Sequence, residues 1–166
     1  LLEAEHKLGS IKSPLRYEQA IESCQKAKEP ILIGISTLLK SQHLVSLGQR
    51  DNAVRLLEQS EQIFISSQYP RVIAEFYASY AELLLQSEKL HDAIFFAEKS
   101  LTFTPQMQVT QPHVQAYRVL TQTYEYFGQI HESLKYYKLY AEAEKAFLDE
   151  TKAKQLAIQQ AKIESI

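Results

Sequence analysis

Leu47-Gly48-Gln49-Arg50-Asp51, Ser87-Glu88-Lys89-Leu90-His91 and Phe127-Gly128-Gln129-Ile130-His131 are the stretches on which the fold turns. Each breaks an apolar run with a few polar residues, and their second residues Gly48, Glu88 and Gly128 stand 40 apart. A glycine just past an apolar run is a helix stop, because it enters the left-handed region without the Cβ clash other residues meet. Glu88 fills that place in the middle turn. Asp51 is expected to cap the helix that follows, and Asp92 and Glu132 suit the positive N-terminal ends of theirs.

Working outward, Pro30, Pro70 and Pro112 fall 40 and 42 residues apart and bracket these turns. Between prolines and turns the apolar spacing is helical, as in Ile73, Phe76, Tyr77, Tyr80, Ala81 and Leu84, or Val114, Tyr117, Leu120, Tyr124 and Phe127. The second half of each block behaves alike, with Ala53, Leu56, Leu57 and Phe64 and then Ala93, Ile94, Ala97 and Leu101. The pattern predicts helices over 1–8, 14–28, 31–47, 51–66, 71–87, 91–103, 112–127 and 130–164, with Ser13 capping a helix that begins at Pro14. Two helices joined by a tight turn form an antiparallel hairpin, and hairpins at a fixed period form an α-solenoid. The fold class expected is therefore all-α, with three to four hairpins and a long C-terminal helix.

Composition closes off the alternatives. The 166 residues include only four glycines and five prolines, too few turns for an all-β sandwich or barrel. The glycines are scattered, so no backbone cradle for phosphate can form. A net charge of −2 leaves no basic track for nucleic acid. Cys24 is alone, which excludes an intrachain disulfide and a cysteine-rich zinc site and fits a reducing, cytoplasmic setting. No run approaches the roughly 20 apolar residues of a membrane span. The opening Leu1 and the single methionine, Met107, suggest a piece of a longer protein.

In frame and spacing the chain resembles the tetratricopeptide repeat. That family places small residues where two helices cross, large ones beside them, a glycine in the turn and a proline at the repeat end. Tyr117, Leu120, Thr121, Tyr124, Gly128, Ser133, Tyr137 and Tyr140 match that frame. So do Tyr77, Tyr80, Ala81, Leu84, Ala93, Ala97, Ser100 and Pro105, and Ser41, Leu44, Gly48, Ala53, Leu57 and Ser60. The first unit keeps only Tyr17, Ala20, Cys24 and Ala27. The resemblance covers residues 1–147, in units of 1–28 (partial), 31–66, 71–105 and 112–147, and it implies a right-handed superhelix. The 40-residue period departs from the family's usual 34 and resembles the elongated repeats of bacterial regulators.

Residues 148–166 hold no proline or glycine and favour helix. Leu156, Ile163 and Ile166 have heptad-compatible spacing, with Gln159 and Gln160 between them. Two readings stand, a helix that caps the last repeat and a helix that dimerises or signals. The segment is similar to the exit of tetratricopeptide sensor regions, which lead into a GGDEF-type diguanylate cyclase, a histidine kinase, a nucleotide cyclase or a DNA-binding domain. Tyr136, Tyr137 and Tyr140 are expected to pack the last hairpin.

Chemistry-bearing constellations are sparse. His6, His43, His91, His113 and His131 have no second ligand at metal spacing and read as turn-surface residues. Cys24 sits at a packing position and reads as a buried thiol. No nucleophile motif appears, so no enzyme activity and no cofactor are expected of this segment. The resemblance implies a concave face built by the first helix of each hairpin, on which Gln42, Glu75, Ser79, Glu82, Gln86, Arg118, Gln122, Glu125 and Tyr126 would form a mildly acidic groove. Only Arg118 could serve the carboxylate clamp of chaperone-binding members. The function expected is binding of a neutral or basic protein or peptide segment, as the sensor region of a signalling protein. The alternatives are a stand-alone scaffold or adaptor and the regulatory domain of a peptide-binding transcription regulator.

Overall fold

At all three turns the backbone closes the same way. Gly48, Glu88 and Gly128 have φ of 76°, 61° and 69°. The next N–H reaches back over the turn, Gln49 to the Leu44 carbonyl, Lys89 to Leu84 and Gln129 to Tyr124, at 2.9, 2.9 and 3.0 Å. Carbonyls at the end of one helix are thereby satisfied, and the chain starts the next helix one residue later. The computed structural model describes residues 14–27, 30–103 and 109–166. The readings on residues 1–13, on Pro105 and on the Cys24 side chain lie outside the described residues.

Within those residues the chain forms seven helices and no strand. They are α1 (Pro14–Ala27), α2 (Pro30–Ser46), α3 (Arg50–Ser66), α4 (Pro70–Gln86), α5 (Leu90–Thr102), α6 (Gln111–Tyr126) and α7 (Ile130–Glu164). Pro30, Pro70 and Pro112 sit in first turns, where the missing N–H has no intrahelical partner to lose. The expected Asp51 cap does not form. Since one residue separates the left-handed Gly48 from α3, the helix has begun at Arg50, and Asp51 lies in its first turn. There it favours the helix dipole without capping, as Asp92 and Glu132 do in α5 and α7.

Successive helices pack as hairpins, α1 on α2, α2 on α3, α4 on α5 and α6 on α7. The hairpins join where α4 meets α3 and α6 meets α5, and α4 also contacts both α2 and α6. One core runs from α2 to α7, with the Phe64 and Phe76 rings stacked at 4.3 Å and Tyr77 fully buried beside them, and Tyr17 with Leu39 forms a second, smaller cluster where α1 meets α2. Small residues sit at the crossings. Ala53, Ala93, Ala97 and Ser100 are buried, and the Ser100 hydroxyl donates across to the Ala74 carbonyl at 2.7 Å. Ser133 donates to the Thr121 carbonyl at 3.0 Å in the same manner. At Gly34 a Cβ would stand 2.9 Å from the Phe64 ring, so that glycine serves close approach.

A polar cluster ties α3, α4 and α5 together. The Tyr77 hydroxyl and the Lys99 ammonium both donate to Glu61 Oε1, at 2.8 and 3.0 Å, and Lys99 lies 4.5 Å above the Tyr77 ring. Burial pushes the Glu61 carboxyl up, but the two hydrogen bonds and the Lys99 charge outweigh it and hold the group below its usual range. Tyr80, nearly a turn further along α4, is pushed up to about 12 by burial and then by the nearby carboxylates of Glu58, Asp92 and Glu61.

Helix α7 passes the expected boundary at residue 148 without a break. Its last buried residue is Ala143, and from Lys152 to Ile166 every residue is exposed. Of the tyrosines expected to pack the last hairpin, Tyr136 stacks on Tyr124 at 5.6 Å and Tyr140 is half-buried. Tyr137 instead points outward and is 53% exposed, because it lies about a quarter-turn from the α6 contact.

Candidate partner-binding groove

Helices α2, α4 and α6 lie side by side, and each exposes a polar stripe. Residues spaced three or four apart share one helix side, which aligns Ser79, Glu82 and Gln86 on α4 and Gln115, Arg118, Gln122 and Tyr126 on α6. Gln42 and Ser41 come from α2.

Two clefts lie along these stripes. The first, of ≈ 170 Å³, has polar walls from Gln42, Ser79, Glu82, Gln86 and Gln115 over apolar Val45, Leu57 and Leu83. The second, of ≈ 700 Å³, is lined by Leu85, Gln86, Glu88, Gln122, Glu125 and Tyr126. Gln86 borders both, so the two are neighbours. Of the nine residues expected to form the groove, seven line these clefts. Glu75 is exposed on α4 and lines neither.

Arg118 is the other departure. Its guanidinium, with the Gln115 side-chain amide, donates to the Glu82 carboxylate. Arg118 is therefore engaged by its own chain, and a carboxylate clamp would have to break that pair. The pairing also offsets the charge of Glu82, so the remaining acidity sits at the second cleft, on Glu88 and Glu125. Carboxamides dominate the rest, with Gln42, Gln86 and Gln122 each offering a donor and an acceptor, while Gln115 has committed an N–H to Glu82. Tyr126 is 74% exposed, a large ring held at the mouth with little packed against it.

Three contributors escape the sequence reading. Gln115 lies three residues before Arg118 on the same side of α6, a spacing that could have flagged it. Glu88 is hidden by its role as turn residue. The apolar floor belongs to residues whose periodicity marks them only as core.

The histidines divide differently from expectation. His91 and His131 are exposed beside their turns, but His43 and His113 are buried. His43 packs on the Tyr17 ring at 5.2 Å, which closes α1 onto α2. His113 caps α6, its Nδ1 accepting the Thr110 N–H at 3.1 Å, and burial holds its pKa below the usual imidazole value. Among the described residues no three His, Cys, Asp or Glu side chains converge to hold a metal ion. No described helix is long and apolar enough to cross a membrane.

No family model matches the chain, and a comparison with curated proteins returns no match.

Proposed function

We propose that this chain is a non-catalytic binding module of tetratricopeptide-like hairpins in a solenoid, which takes an extended peptide or protein segment along α2, α4 and α6. The observation that carries the reading is a pair of clefts that share Gln86, the first walled by Gln42, Gln86 and Gln115 above Val45, Leu57 and Leu83, the second by Gln86 and Gln122 beside Leu85. Side-chain carboxamides match the donor and acceptor of a peptide group, while Val45, Leu57 and Leu83 suit an apolar side chain. Glu88 and Glu125 favour a ligand that is neutral or basic at one end. The same arrangement supports a sensor role in a larger signalling protein, with the groove as input and α7 as the way out. Any ligand then acts only through its preference for one helix arrangement over another.

Panning a random peptide library on the chain and measuring the enriched peptides by calorimetry tests this. Alanine at Gln86 or Tyr126 is expected to weaken binding about tenfold, as loss of a central contact worth roughly 1–2 kcal/mol. Alanine at Gln62, exposed on α3, should leave binding unchanged. Peptides whose affinity ignores Gln86, Glu82 and Tyr126 would place the binding surface elsewhere.

A further inference from the structure

The two clefts of the groove differ in what they can hold. In the first, Val45, Leu57 and Leu83 form an apolar floor below Gln42 and Gln86. Its ≈ 170 Å³ suits one apolar side chain, since a cavity of about 150 Å³ holds a benzene ring. The second is lined by Glu88, Glu125 and Tyr126, and no described lysine or arginine borders it. Among the described residues neither of these carboxylates has an ion pair or a hydrogen bond, unlike Glu82, which Arg118 neutralises. The Tyr126 ring is exposed, with no described ring stacked on it. Two unpaired carboxylates beside an open aromatic face are the complement of a guanidinium or ammonium group, which gains from the charges and from the negative face of the ring.

The spacing of the clefts selects the backbone that can fill both. The first lies between α2 and α4, the second between α4 and α6, and they share Gln86. Packed helices stand about 8–10 Å apart, so the cleft centres are separated by about one such step. A chain in the β conformation covers that distance in about three residues, but residues three apart then point to opposite faces. An α-helix covers it in about seven residues and returns to the same face, yet its backbone groups are already paired. Polyproline II rises about 3.1 Å per residue with three residues per turn, so residues three apart share a face and stand about 9.3 Å apart. It has no internal hydrogen bonds, and its carbonyls are left to be met from outside. Each of α2, α4 and α6 offers one carboxamide that makes no hydrogen bond among the described residues, Gln42, Gln86 and Gln122.

We propose that the groove selects a proline-rich segment in the polyproline II conformation, with an aliphatic side chain in the first cleft and, three residues away, an arginine or lysine in the second. The cation lies against Tyr126 between Glu88 and Glu125, and the amides of Gln42, Gln86 and Gln122 donate to carbonyls that the ligand cannot pair itself. An acidic residue at either place finds no cation, since Arg118 is held by Glu82. The proposal rests on the groove being the binding surface.

Fluorescein-labelled octapeptides with the cores Leu-Pro-Pro-Arg and Arg-Pro-Pro-Leu, prolines filling the remaining places, test it by fluorescence anisotropy on the full 166-residue chain. One of the two orders should bind at least about tenfold more tightly than its counterparts with glycine for every proline, or with Leu and Arg two or four residues apart. Glu88→Gln with Glu125→Gln should weaken that peptide about tenfold and leave its arginine-to-glutamine counterpart unchanged. Binding that ignores proline, the spacing or the two carboxylates would overturn the proposal. So would failure of both orders while library-selected peptides still depend on Gln86 and Tyr126, a result that leaves the groove in place. If selected peptides ignore those residues as well, the groove reading falls with it.

Discussion

Glu88 is held at φ 61°, in a region where its neighbours by repeat, Gly48 and Gly128, are at ease. A residue with a Cβ gives up about 1–2 kcal/mol there, while glycine carries an unfolded-state entropy cost of about 0.5–1 kcal/mol. Glu88→Gly should therefore stabilise the chain by about 0.5 kcal/mol, and Gly48→Ala should destabilise it by about 1 kcal/mol. Urea midpoints with unchanged slopes would register both. At His113 the argument concerns protons. Burial depresses its folded pKa below the unfolded value of about 6.5, so below that value the unfolded state binds more protons. The contribution of His113 is full above pH ~6.5 and is lost as the pH falls toward the folded pKa. The loss of stability between pH 7.5 and pH 5.5 should shrink in His113→Gln, measured by urea melts at the two values. Neither buried histidine could be read from spacing, since an imidazole at a helix start or against a single ring of a neighbouring helix has no periodic signature.

Among the elements, α4 is held from both sides, and Tyr77 is where its apolar and polar contacts coincide. The ring is fully buried and lies 5.8 Å from both Phe96 and Phe103, while the hydroxyl donates to Glu61. Tyr77→Phe keeps the packing and removes the donor. A cost of about 1–2 kcal/mol is expected, since the bond is to a charged acceptor that water reaches only in part. The Glu61 carboxyl should rise toward its ordinary pKa in the same variant, which carboxylate NMR titration would follow. Helix bounds were readable from the chain to within about one residue because prolines and left-handed turn residues punctuate it. Asp51 misled because a cap needs the residue before the helix, and the tight closure at Gly48 uses that place for Gln49. Tyr137 misled for another reason. Its large-residue position in the repeat frame is covered only when a further helix follows, so the periodicity of α7 marks a contact that this chain alone does not make.

For the whole molecule, the period of 40 set both the hairpins and the line of first helices, and with them most of the groove. What the period could not convey is which polar residues on that line spend their hydrogen bonds internally. The link from Arg118 and Gln115 to Glu82 joins residues more than thirty positions apart, and its effect is to turn a charged groove into one of amides. Recognition by such a groove would depend less on ionic strength than one lined by free charges, because little of its surface remains to be screened.

Helix α7 also has the proportions of a lever. From Ala143 to Glu164 it runs on for about 31 Å at 1.5 Å per residue, with no proline or glycine in its sequence. A tilt of about 10° at Ala143, its last buried residue, would carry the tip through about 5 Å. In the proposed sensor role the helix would be a pointer, with its length setting the gain.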